Sequence, residues 1–112
     1  MIGKSKSMIR LNILYPNTSG SRFDLDYYLG THMPMSKRLL GDACKGITIE
    51  HGVSGTEPGS PAVYIVCCHM LFDSIDAFAA AWTPHADALG GDIPNYTDVQ
   101  PVIQFSELLP FE

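Results

Sequence analysis

The eleven residues Ala62–Phe72, AVYIVCCHMLF, decide the fold. They form a strand-length run that is apolar at both odd and even positions. Successive strand residues point to opposite faces, so this strand is expected to be central in its sheet and covered on both sides. On either side the pattern changes. Upstream, Gly46–Val53 alternates, with Ile47, Ile49, His51 and Val53 opposed to Thr48, Glu50 and Gly52, as in a strand with one wet face. The turn-rich Ser54–Pro61, SGTEPGSP, joins the two. Downstream, Asp73 or Ser74 caps a helix whose buried stripe is Ile75, Phe78, Trp82, Ala86 and Leu89, with His85 beside it. Pro84 interrupts that helix, and Gly90 and Gly91 end it. After the loop DIPNYTD, Val99–Leu108 reads as the last strand, placed at an edge by Pro101, which has no donor for a ladder.

The first half of the chain mirrors this order. Residues 1–7 read as a frayed amino terminus, and residues 8–112 as a single domain. Met8–Tyr15 alternates with Ile9, Leu11, Ile13 and Tyr15 on one side and Arg10 and Asn12 on the other; Pro16 ends that strand. Then comes Arg22–Gly41, RFDLDYYLGTHMPMSKRLLG. Asp24 is its N-cap, with Phe23 and Tyr28 as a hydrophobic staple. Leu25, Tyr28, Leu29, His32, Met35 and Leu39 fall on one helical stripe. Pro34 pushes Met33 out of the helical region, so a kink is expected there, and Gly41 is the stop.

Strand, helix, strand, strand, helix, strand is the ferredoxin-like βαββαβ pattern of an α+β protein. Right-handed crossovers then place both helices on one face of a four-stranded antiparallel sheet, with the first and third strands central. The other face of the doubly apolar third strand is left bare. A second copy packed sheet against sheet would cover it, so a homodimer whose sheets form an α/β barrel is expected. Composition agrees: 46% of residues are hydrophobic and only 17% charged, against about 25% charged in ordinary domains. A net charge of -5 argues against nucleic acid and anionic membrane as partners. Three cysteines without framework spacing, no signal-peptide pattern and no apolar span of membrane length imply a cytoplasmic domain with free thiols.

His32 is the main chemical candidate, because an imidazole on an apolar helical stripe serves either as acid or base or as a core histidine held by one hydrogen bond. Tyr15, Tyr28, Asn12 and Tyr96 with Asp98 are expected to converge on the same space. Met33, Met35, Phe78 and Trp82 either wall a pocket opened by the breaks at Pro34 and Pro84 or are plain core. No metal is expected: Cys67 and Cys68 point to opposite faces, and the further ligands that Cys67 and His69 would need are missing. Asp24 and Asp26 are explained by the helix dipole. His51 and His85 have no partner that sequence can name. There is no nucleophile elbow, phosphate loop or dinucleotide fingerprint.

Leu14–Pro16 (LYP), Arg22–Pro34 (RFDLDYYLGTHMP), Leu71–Phe78 (LFDSIDAF) and Gly91–Gln104 (GDIPNYTDVQPVIQ) together resemble the EthD family, named from ethyl tert-butyl ether degradation. The resemblance spans Met8–Glu107. It implies a dimeric α/β barrel, and it places the family's histidine on His32, its aromatic pair on Tyr27 and Tyr28 and its acid on Asp24. Relatives of that barrel include cofactor-free monooxygenases, muconolactone isomerase and haem-degrading enzymes. The expected function is therefore binding of a small apolar organic metabolite between sheet and helices. Either a cofactor-independent enzyme, with His32 as acid or base and Tyr15 or Tyr28 orienting the substrate, or a non-catalytic accessory protein of an oxygenase system would do this. Haem binding through His32 or His85 is a third reading. Asn12, Met33, Met35, Phe78, Trp82, His85 and Tyr96 are the expected ligand-binding residues.

Overall fold

Alternation in the sequence becomes the two faces of one sheet. In a computed structural model describing residues 7–111, four antiparallel strands lie in the order β2-β3-β1-β4. They are β1 (Ile9–Pro16), β2 (Gly46–His51), β3 (Tyr64–Phe72) and β4 (Val102–Glu107). The frayed end expected at residues 1–7 falls, apart from Ser7, outside the described residues. Leu11 pairs with Met70, Ile13 with Cys68 and Tyr15 with Val66, which sets one apolar face beneath the helices. Val66, Cys68, Met70 and Phe72 are buried there, whereas Ile65, Cys67, His69 and Leu71 on the other face are half-buried. Among the described residues the central strand is thus fully covered on one side only.

That outer face carries a polar row across all four strands. The Asn12 amide nitrogen donates to Ser106 Oγ (2.9 Å) and to the Gln104 carbonyl (3.1 Å), and its Oδ1 meets His69 Nδ1 at 2.7 Å. Beyond His69, Nε2 faces Glu50 Oε1 at 3.3 Å. Apolar Leu14 and Leu71 are half-buried on the same face.

The first helical segment starts where Asp24 Oδ1 accepts from the Tyr27 amide (3.0 Å). It comprises α1 (Leu25–Tyr27), a wide π-helical turn (Tyr28–His32) and α2 (Met33–Leu40). Phe23 and Tyr28 form the expected staple, their rings 5.1 Å apart. The irregularity is not the kink expected at Met33, whose φ of -69° and ψ of -39° are helical. It lies one turn earlier, where the Met33 amide reaches back to the Tyr28 carbonyl. Pro34 then falls in the first turn of α2, directly after the wide turn, and supplies no backbone donor to the continuous helical segment. Gly41 ends α2 at φ 63°, a conformation that costs any other residue strain.

In the second helical segment, Ser74 is the cap, its Oγ accepting from the Ala77 amide at 2.9 Å. α3 (Ile75–Trp82) passes through a 3-10 turn at Thr83–His85 into α4 (Ala86–Asp92), so Pro84 does interrupt it. Gly90 and Gly91 do not end it: both are inside α4 with ordinary φ, and the helix runs to Asp92. Pro101 lies just before β4, not within it. The edge position of β4 therefore follows from topology. Among the described residues no helix is long and apolar enough to cross a membrane.

Candidate functional site

The π turn decides where His32 points. It closes its ring at the Met33 amide and sets the His32 and Tyr28 rings nearly parallel, 5.8 Å apart at 16°. Extra-residue turns of this kind often occur at functional sites. The segment Ile93–Thr97 is zipped against the start of the same helix. The Asp24 amide donates to the Tyr96 carbonyl (2.7 Å), Thr97 Oγ1 donates to the Arg22 carbonyl (2.6 Å), and Phe23 and Thr97 form an isolated bridge. Two stretches far apart in the chain are thereby held as one wall.

Between them runs a chain of four polar side chains. His32 Nδ1 lies 2.8 Å from Asp92 Oδ2, and a carboxylate can only accept, so Nδ1 carries the proton of the neutral ring. Nε2 is left as acceptor and faces the Tyr96 hydroxyl at 3.4 Å; Tyr96 in turn meets the Tyr15 hydroxyl at 2.7 Å. The other Asp92 oxygen accepts from the Tyr27 hydroxyl (2.6 Å) and from Asn95 Nδ2 (2.9 Å). Tyr15 and Tyr96 of this polar chain pack with Phe23 and Tyr28, edge to face except for the tilted Tyr28–Tyr96 pair, with ring centroids 5.0–6.0 Å apart. His32 retains only 7% of its exposure.

Electrostatics separates the two ends. Burial opposes ionisation of Asp92, but hydrogen bonds from Tyr27, Asn95 and His32 outweigh it and hold the carboxyl below its ordinary range. A carboxyl lowered on folding adds stability above its unfolded value, near 4, and that stability is lost as the pH falls. At the other end burial pushes the Tyr15 phenol up to about 12, with the Tyr96 hydroxyl pulling the other way. Burial likewise raises Tyr28 and Tyr96. The site is an anion at one end and reluctant phenols at the other, joined through one imidazole.

Its parts come from the stretches that carry the sequence motif, and the EthD domain family matches residues 17–100. The chain belongs to the EthD family. An EthD-like protein from Ralstonia eutropha JMP134 is 42% identical and superposes with a TM-score of 0.90, over 96% of this chain and 97% of that one. An EthD family protein from Bacillus halodurans C-125 is 19% identical at a TM-score of 0.70, over 91% and 99%. A protein from Thermobifida fusca YX described as dimeric and ferredoxin-like shares the fold at 17% identity and a TM-score of 0.60, over 96% and 97%. No curated protein matches the chain.

Of the residues expected from sequence, this EthD chain brings together His32, Tyr28, Tyr15 and Tyr96, with Met33 buried nearby in sequence. Asn12 is excluded from them, because its neighbour Leu11 faces the helices and strand alternation sends Asn12 to the opposite side of the sheet. Asp98 is also elsewhere, accepting from the Arg22 amide at 2.9 Å. Phe78 and Trp82 stack on each other and gather with Phe72 and Phe105 into a separate aromatic cluster. Met35 is half-buried against the core, and His85 is half-buried without a hydrogen bond among the described residues. Asp92 and Asn95 were not legible, because nothing in the spacing of 60 residues links Asp92 to His32.

The pocket expected at the two proline breaks is not seen beside His32, where the Tyr28 and Tyr96 rings occupy the space. Cavities open elsewhere on the described surface. One of about 900 Å³ opens on the far side of α2 at Pro34, Lys37 and Lys45. One of about 360 Å³ is bounded by Pro16, Thr18, Asp98 and Val99, and one of about 330 Å³ by Ile9 and Asp73–Asp76. His32 lines none of them. Among the described residues no three His, Cys, Asp or Glu side chains gather as a metal ion would require.

Proposed function

We propose that this protein is a cofactor-independent enzyme acting on a small apolar organic compound, with His32 as its acid or base. The observation that carries this reading is the Asp92–His32–Tyr96–Tyr15 hydrogen-bonded chain, assembled from three separate stretches of the sequence. Asp92 fixes the tautomer and orientation of the imidazole, as a carboxylate does in hydrolytic triads. The 360 Å³ cavity is lined by Pro16, Asp98 and Val99, sequence neighbours of Tyr15 and Tyr96, and by neither tyrosine itself. Substrate is placed at that cavity. In an assay over a panel of apolar ketones, phenols and ethers, His32→Gln is expected to lose about 10²–10⁴-fold in kcat while retaining ligand binding. Equal turnover by wild type and His32→Gln would remove His32 from the chemistry.

A second reading is favoured by the close packing around His32, which no described cavity reaches. On that reading the protein is a non-catalytic accessory or carrier for an apolar compound, and the chain is a buried tie between the helices. Binding without turnover of any panel member by wild type decides for it.

Either activity is proposed for a homodimer formed through the bare sheet face. Half-buried Leu14, Cys67 and Leu71 on that face, and the dimeric description of the Thermobifida relative, support the pairing. Leu14→Glu leaves the helix-side core untouched. It is expected to weaken the dimer at least about a hundredfold, because an unpaired carboxylate is costly in an apolar contact. Light scattering at micromolar concentration checks this, and a wild-type monomer there sinks the dimer.

A further inference from the structure

The groove on the far side of α2 concentrates the positive charge of an acidic chain. Of the described residues only Arg10, Arg22, Lys37, Arg38 and Lys45 are Lys or Arg, and the last three line this one groove with a single acid, Asp42. Arg22 is engaged with the Pro94 carbonyl, and Arg10 lies on the outer sheet face. The ion pairs among the described residues are His32–Asp92 and His69–Glu50, so none of the three groove cations is paired there. Lys37 and Arg38 occupy the last turn of α2, where cations complement the helix dipole. That accounts for neither Lys45, which precedes β2, nor the concavity of about 900 Å³ that all three share. Pro34 and Ile47 give the groove an apolar wall, and the Cys44 thiol beside them is raised by burial and therefore neutral. Like charges facing a concave surface focus potential on it and favour an anionic occupant.

We propose that this groove binds a small organic anion, a carboxylate or phosphate head on a short apolar body. Arg38 offers a planar fork for either head, and Lys37 and Lys45 offer point charges. The site is independent of His32 and is a second binding position on the same protomer.

Calorimetric titration of the whole chain with hexanoate, phenyl phosphate and neutral hexanol tests it. At least one anion is expected to bind saturably and more weakly as salt is added, while hexanol does not bind. Which anion binds tighter identifies the head group. The triple variant Lys37→Gln, Arg38→Gln, Lys45→Gln is expected to bind that anion at least about tenfold more weakly. Because all three side chains are exposed, its melting temperature should fall by only a few degrees, the effect of losing two cations from the last turn of α2. Lys45→Gln alone should lose about threefold, although the helix dipole is intact. Failure of both anions to saturate, equal binding by the triple variant, or hexanol binding as tightly as hexanoate would overturn the proposal.

Discussion

Tyr96→Ala is expected to destabilise the protein by about 5 kcal/mol, against a total of roughly 5–15 kcal/mol for a domain of this size. Tyr96 is 0% exposed, and its ring lies 4.6–6.4 Å from the centroids of His32, Tyr28, Phe23, Tyr15 and Tyr27. Truncating a buried aromatic typically costs about 3–5 kcal/mol. Here the cavity would open at the seam between α1, the π turn and the Ile93–Thr97 segment, where the backbone of both walls is pinned and collapse is restricted. The lost hydroxyl also leaves Tyr15 and His32 Nε2 without a partner, adding about 1–3 kcal/mol. Tyr96→Phe separates the two contributions, keeping the ring and losing only the hydroxyl, for about 1–3 kcal/mol. Urea unfolding with unchanged slope reads both values. A Tyr96→Ala midpoint within 1 kcal/mol of wild type would mean that the aromatic cage is not the core of the site. Phe111→Ala is a control: that ring is 100% exposed and its loss should be neutral.

The same residues show how far sequence reading carries. Strand order, the two faces of β1 and β3 and both helix caps follow from period-2 and period-3.6 patterns and cap chemistry, which act over a few residues. His32 and Tyr28 were found because they share one helical stripe, and Tyr96 because it stands in a motif with polar neighbours. The position of the helix irregularity was misplaced by one turn. Pro34 removes a donor wherever it stands, but the chain met that loss by widening the turn upstream of it, a choice set by packing against Tyr96. Asp92 was invisible for a related reason. It lies after two glycines that read as a helix stop, and only the continuation of α4 through them carries its carboxylate to His32. Asn12 shows the converse: alternation alone placed it on the outer face, and its grouping with His32 contradicted that rule.

Raising the pH should unfold the protein cooperatively, and the tyrosines set the steepness. Tyr15, Tyr28 and Tyr96 are buried, and burial is the main reason each phenol is raised, Tyr15 to about 12. A phenol is neutral when protonated, so a raised value means that the folded state keeps a proton the unfolded chain gives up near pH 10. The contribution of each is therefore complete below pH 10 and is lost as the pH climbs towards the folded value. One such group costs about 1.4 kcal/mol per pH unit, so three together cost about 4 kcal/mol per unit. Against a stability of roughly 5–15 kcal/mol, unfolding is expected within about one to four units above pH 10. Phenolate absorbance and far-ultraviolet circular dichroism should then change in one coincident transition, because these phenols ionise only as the cage opens. Tyr15→Phe should reduce the tyrosine share of the steepness by about a third, the buried Cys68 thiol, raised to about 11, adding a proton of its own. Ionisation of all five tyrosines near pH 10 with the dichroism intact would show that water reaches the cage, and with it the Asp92–His32–Tyr96–Tyr15 chain, in the folded state.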